Sequence, residues 1–182
     1  LEVVEQLNDP QARAALEAEL LGNTHDDKSW AQVLQLQRLI ADAKSEQDRG
    51  LLEAFGLLGR LETTRPEWYI VYALRGAAEE KRASFVPADQ QRPILDLAAR
   101  AYERAIALGD RTLGAQERLI SVLYRAGRSD DAMTCLERID RTLPLSRTLS
   151  EIAINIAMEN KQADRAEAIA KRAVEMRPND SL

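Results

Sequence analysis

Apolar residues recur along most of this chain at intervals of three and four, the pattern of helices that bury one side. Ala12, Ala15, Leu16 and Leu20 follow that period after Asn8-Asp9-Pro10, where Asp9 can cap free amides and Pro10 suits a first helical position. Residues 1–7 read as the tail of a preceding helix. Trp30, Val33, Leu34, Ile40 and Ala41 predict a helix over 29–45, and Leu51, Ala54, Phe55, Leu58 and Leu61 predict its hairpin partner over 47–61. Thr64 and Glu67 are spaced as a capping box around Pro66, which places the next helix start there. The stretch 82–92 is irregular and reads as a lengthened turn inside a hairpin, with Phe85-Val86 either plugging the hairpin end or exposed as a contact. Beyond Pro93 the pattern is regular: Leu97, Ala98, Ala101, Tyr102 and Ala105 lead to Gly109, and helices follow over 113–125, 130–141, 145–159 and 162–176. No stretch carries the alternating pattern of a strand.

The last four of these helices write one pattern twice. Ile120 and Ile154, Ala132 and Ala166, Arg138 and Arg172, and Pro144 and Pro178 are each 34 positions apart. A fixed period of this size marks a repeat array, because one helical hairpin cannot bury its apolar side alone and stacks on the next. The fold expected is therefore all-α, a solenoid of stacked antiparallel helical hairpins, and the 182 residues leave room for about five of them.

Leu119-Ile120, Leu123-Tyr124, Gly127, Ala132, Leu136, Ile139 and Pro144 resemble the tetratricopeptide repeat, with its apolar first helix, turn glycine, small residue early in the second helix and closing proline. Ala153-Ile154, Ala157, Ala166, Ala170, Ala173 and Pro178 look like a second copy, with Lys161 where the glycine would be. Ala98, Tyr102, Ala105 and Asp110 look like the second half of an earlier copy. The resemblance covers 90–180 and divides the chain into divergent hairpins over 1–66, a hairpin over 67–112 with the lengthened turn at 82–92, and repeats over 113–146 and 147–180.

What the resemblance implies is a right-handed superhelix whose first helices line a concave groove for a partner's extended peptide or helix. The groove positions carried over are Glu117, Ser121, Tyr124 and Arg125 on one helix and Thr148, Glu151, Asn155, Met158 and Glu159 on the next. The Asn155 amide both donates and accepts, which suits a peptide backbone. Some relatives hold acidic chaperone tails through a basic clamp; Glu117 and Glu151 stand where such a clamp uses lysine, and like charge there opposes a carboxylate. Outside these repeats, Trp68, Tyr72 and Arg75 fall at helical spacing and form either a candidate aromatic platform for a peptide or hairpin core.

Charge and composition narrow the function further. Basic and acidic residues number 25 and 30 and are interspersed, giving a net charge of -5, which disfavours a phosphate-backbone partner. No apolar run approaches the roughly 20 residues that cross a bilayer, so membrane insertion is not expected and the chain reads as soluble. It starts at Leu1 without a targeting segment and reads as part of a longer protein, so its compartment is open. With one His, His25 in a polar turn, and one Cys, Cys135 at a core register position, no His-based metal cluster, His–Cys pair or cofactor is expected, and carboxylate pairs such as Asp130-Asp131 sit at a helix start, where capping explains them. The function expected is a non-catalytic protein-binding scaffold. The alternative is a structural spacer or oligomerisation segment that associates through its solenoid ends.

Overall fold

A computed structural model describes residues 28–140 and 145–176; the expected helix after Pro10, His25, Pro144 and Pro178 lie outside them. Those residues are all-helical: α1 (Lys28–Asp42), α2 (Arg49–Thr64), α3 (Tyr69–Ala83), α4 (Ala88–Ala107), α5 (Leu113–Arg125), α6 (Ser129–Asp140), α7 (Arg147–Glu159) and α8 (Ala163–Met176). Strands are absent among the described residues.

Local chemistry sets the helix ends. Asp48 accepts a 2.8 Å bond from the Gly50 amide at the start of α2, and backbone donors at Lys44 and Gly50 hold its carboxyl below the usual carboxylate range. Thr112 and Ser146, 34 positions apart, cap α5 and α7 in the same way, accepting from Ala115 at 3.3 Å and Leu149 at 3.4 Å. The helices they start are 13 residues each, and α6 and α8 also start 34 positions apart. The 34-residue period is thus a structural period in this half of the chain.

Three helices end on one turn. After α5, the amide of Gly127 bonds to Tyr124 O and that of Arg128 to Leu123 O, the paired closure of a Schellman motif. The same pair forms at Gly109 with Asp110, and at Lys161 with Gln162. The residue at the turn has φ 75° at Gly127, 109° at Gly109 and 58° at Lys161.

Two sequence expectations change. Thr64 does not open a helix: the hydroxyls of Thr63 and Thr64 donate back to Gly59 O and Arg60 O at 3.0 and 2.9 Å, which carries α2 to Thr64. Helix α3 starts only at Tyr69, with Trp68 as an N-cap that makes no side-chain capping bond. The lengthened turn over 82–92 shrinks to 84–87, because α4 starts at Ala88 and runs through Pro93. Pro93 is the sixth residue of α4 and exposed, and it lacks the N–H that would bond Asp89 O. The extra residues of this hairpin lengthen its helices instead, to 15 and 20 residues in α3 and α4 against 13 and 12 in α5 and α6. Phe85 and Val86 are half-buried and pack on the two apolar clusters, so they plug the hairpin end.

Each helix packs on the next, and α1 also touches α3 as α5 touches α7. One apolar cluster joins α1, α2 and α3 through Leu36, Leu51, Leu58 and Val71. The other runs from the end of α3 to α7 through Leu95, Tyr102, Ile120, Leu123, Leu136, Leu149 and Ile156. Each such side chain contributes roughly 1.5–3 kcal/mol when fully buried. Between α3 and α4 the approach depends on Gly76: a Cβ there would lie 2.7 Å from the Tyr102 ring.

Candidate functional site

Helices α1, α3 and α5, the first of each helix pair, frame an open cavity of about 650 Å³. Its apolar lining includes Ile40, Leu74, Ala77 and Ala115, and its polar lining includes Gln37, Glu80, Lys81, Arg118 and Arg125. Ala73, Leu74 and Ala77, within about one turn of α3, supply part of that lining.

Glu80 is the centre of its electrostatics. The Tyr102 hydroxyl donates to Glu80 Oε2 at 2.7 Å, Arg118 Nη1 donates to the same oxygen at 3.4 Å, and Arg125 Nη1 donates to Oε1 at 3.2 Å. Burial, then the neighbouring Glu80 charge, pushes the Tyr102 phenol far above its ordinary range, so it stays a donor. Asp110, also on the cavity wall, accepts from Thr112 N and Oγ1 at 3.1 and 2.7 Å.

The Glu80–Arg125 bond belongs to a polar seam along the C-terminal ends of the first helices. Lys81 Nζ on α3 donates to Ala41 O on α1 at 3.0 Å. Glu80 of α3 pairs with Arg125 of α5, and Tyr124 of α5 donates to Glu159 Oε1 of α7 at 3.0 Å. Ser129 Oγ donates to the other Glu159 oxygen at 3.3 Å. Burial and the Glu159 carboxylate raise the Tyr124 hydroxyl above its ordinary range, and the Asn155 side chain lies beside it.

Of the groove residues read from the sequence, Tyr124, Asn155 and Glu159 therefore meet, and Arg125 turns to the cavity on α3. Glu117 and Ser121 are half-buried on α5, Thr148 and Met158 are exposed on α7, and Glu151 pairs with Arg147 one turn earlier at 3.0 Å. Trp68, Tyr72 and Arg75 stand in three separate contacts. Trp68 packs edge-on to Trp30 with centroids 5.8 Å apart, and Tyr72 donates to Pro66 O at 3.1 Å beneath Arg104. Arg75 forms a two-pronged pair with Glu62 at 2.8 and 2.9 Å and lies over the Phe55 ring.

Sequence reasoning missed Gln37, Glu80, Lys81 and Arg118. A signal for Arg118 was available, since Arg118, Ser121 and Arg125 share a helix face at spacings of three and four. For Glu80 the register was hidden: α3 and α5 start 44 positions apart, not 34.

A second cavity of about 410 Å³ lies between α4, α5 and α6, with Cys135, Leu119 and Ile139 in its apolar wall. Burial raises the Cys135 thiol above its ordinary range and keeps it protonated. Arg128 spans its rim, bonding Asp131 at 2.7 Å and reaching Glu103 at 3.5 Å. Among the described residues no group of three His, Cys, Asp or Glu is placed to hold a metal ion, and no helix is long and apolar enough to cross a membrane.

No protein-family model matches the chain, and no curated protein matches it.

Proposed function

We propose that the chain is a tetratricopeptide-like α-solenoid and serves as a non-catalytic protein-binding module, taking a peptide or helix of a partner along the first helices of its hairpins. The observation that carries this is the open 650 Å³ cavity framed by α1, α3 and α5, whose lining combines apolar side chains with polar groups. The 34-residue period of caps and helix starts supports the solenoid part of the reading. The seam through Tyr124, Glu159 and Asn155 extends the same side toward α7.

The test is site-specific photo-crosslinking in extract from the source organism, with the crosslinking residue at Ser121 on the groove helix or at Thr134 on α6. A discrete crosslinked partner from position 121 and none from 134 is the result expected. The reverse pattern, or equal labelling, would overturn the groove reading.

A second reading, association end to end, has its own observation. Val174 on α8 is 52% exposed, and Leu145, Ile169 and Ala173 line a cavity of about 190 Å³ beside it. Sedimentation velocity across a concentration series decides it: growth in mass that Val174→Glu abolishes favours this reading, and a constant monomer removes it.

A further inference from the structure

We propose that the cavity between α4, α5 and α6 binds a small amphipathic carboxylate of the fatty-acid class, with its aliphatic tail on Ile106, Leu119 and Cys135 and its carboxylate at Arg138. This site shares no lining residue with the groove of α1, α3 and α5. Its volume of about 410 Å³ falls inside the roughly 300–1,000 Å³ of ordinary small-molecule pockets. Ile106 and Cys135 are half-buried and keep apolar surface toward the cavity, and buried Leu123 and Ile139 back them. An aliphatic tail laid there removes that surface from water, and the packed side chains behind it hold the wall in place.

The charges around the cavity are sorted along it. Asp96, Glu103 and Asp131 approach Arg128 at 4.0, 3.5 and 2.7 Å, so one guanidinium gathers the acids. Arg138 lies two helical turns beyond Asp131, about 10 Å along α6. It is exposed, lines the same cavity and forms no ion pair among the described residues. Its planar fork of N–H donors matches both oxygens of a carboxylate. A cationic head would meet repulsion at Arg138 and, at the other end, acids that Arg128 already holds. The repeat register supports the same assignment. Six residues lining this cavity have counterparts 34 positions on that line the 190 Å³ cavity of α7 and α8. Arg138 recurs there as Arg172, whereas Asp131 becomes Arg165 and Cys135 becomes Ile169. Such a cavity is therefore a regular product of hairpin stacking, and its cation stays while the side chains around it change.

Cys135 is the only cysteine of the chain and stands in the cavity wall, so its rate of labelling by a thiol reagent reports occupancy. The experiment follows that rate while the chain is titrated with hexanoate, octanoate and decanoate below their micelle concentrations, and with octanol and octylammonium. Saturable protection by the carboxylates is expected, tightening by up to about 4-fold per added methylene. Octylammonium should bind at least ~10-fold more weakly than octanoate, and Arg138→Gln should weaken octanoate by a similar factor, as for a lost charge-assisted hydrogen bond, while leaving octanol unchanged. Arg138 is exposed, so this variant should keep its helical content by circular dichroism. Octylammonium binding as tightly as octanoate, or octanoate unaffected by Arg138→Gln, would overturn the carboxylate assignment. Absence of saturable protection by every one of these ligands would overturn the site itself. The groove reading is independent of both results, since crosslinking from position 121 tests it.

Discussion

Hairpins α5–α6 and α7–α8 share one register and differ in how they fill it. Their caps, Thr112 and Ser146, and their turns, at Gly127 and Lys161, superpose at 34 positions, with the same pair of hydrogen bonds closing each turn. Lys161 adopts φ 58° where its counterpart is glycine at 75°. The lesson is that the bonds of the turn define it and glycine only makes it cheaper. Packing differs more. Leu136 and Ile139 of α6 are 2% and 3% exposed between α5 and α7, while their counterparts Ala170 and Ala173 on α8 remain half-buried.

Hairpin α3–α4 sharpens the contrast. Matched by helix starts, Gly76 takes the place of Ile120, and at the 34-residue period Tyr102 takes that of Leu136, so volume has moved from the first helix to the second. Glu79 likewise stands where α5 has Leu123 and α7 has Ala157, a buried carboxylate among apolar counterparts. Arg82 Nη2 lies 3.0 Å from it, yet neither Glu79 Oε2 nor Arg82 Nε finds a well-aligned hydrogen bond.

The largest break in this comparison is Leu136→Ala, which makes α6 resemble α8 and should cost about 2–5 kcal/mol in urea unfolding. A cost below ~1 kcal/mol would mean that the α6 position is not core in the way its burial says. Next comes Gly76→Ala: the added methyl meets the Tyr102 ring and should cost about 1–3 kcal/mol, and Tyr102→Leu in the same chain should recover part of that. Additive losses in the double variant would show that the two positions do not share volume.

Ala132→Leu should cost roughly 1–3 kcal/mol by overpacking, and Ala166→Leu less, because Ala166 lies on the less covered hairpin. Equal losses in thermal melts would remove the distinction between the two hairpins. Smaller still, Lys161→Gly should stabilise by about 0.5–1 kcal/mol and Gly127→Lys should lose a similar amount, since a side chain in left-handed backbone is strained. A gain absent at 161 and a loss present at 127 would mean that the two turns are not equivalent.

The smallest effect expected is at Glu79. Burial raises its carboxyl above the usual range, against the opposing pull of Arg82 and Arg75. A raised carboxyl favours the fold below the unfolded-state value and increasingly opposes it as pH rises through the folded value. Glu79→Gln should therefore gain a little stability at neutral pH and lose that advantage on acidification. Urea melts in which the variant is weaker at neutral pH would show that the pair with Arg82 outweighs burial.

Much of the fold was legible because its signals are local. The apolar period and the turns at Gly109 and Gly127 each involve residues within six positions of one another. The misread capping box at Thr64 was a local signal too, but Thr hydroxyls serve a helix end as readily as a start, and only the backbone partner tells which. The turn over 82–92 was overestimated because Pro93 reads as a helix boundary, whereas α4 runs through it.

By itself the sequence determined the all-helical class and the 34-residue spacing of the last four helices. Only the tertiary structure decided which charges meet. Glu80 finds Arg118 and Arg125 from 38 and 45 positions away, on helices whose offset is not the repeat period. Helix formation depends on neighbours one turn apart, whereas the groove depends on how separate helices are set against each other by packing, as where Gly76 admits the Tyr102 ring whose hydroxyl then holds Glu80.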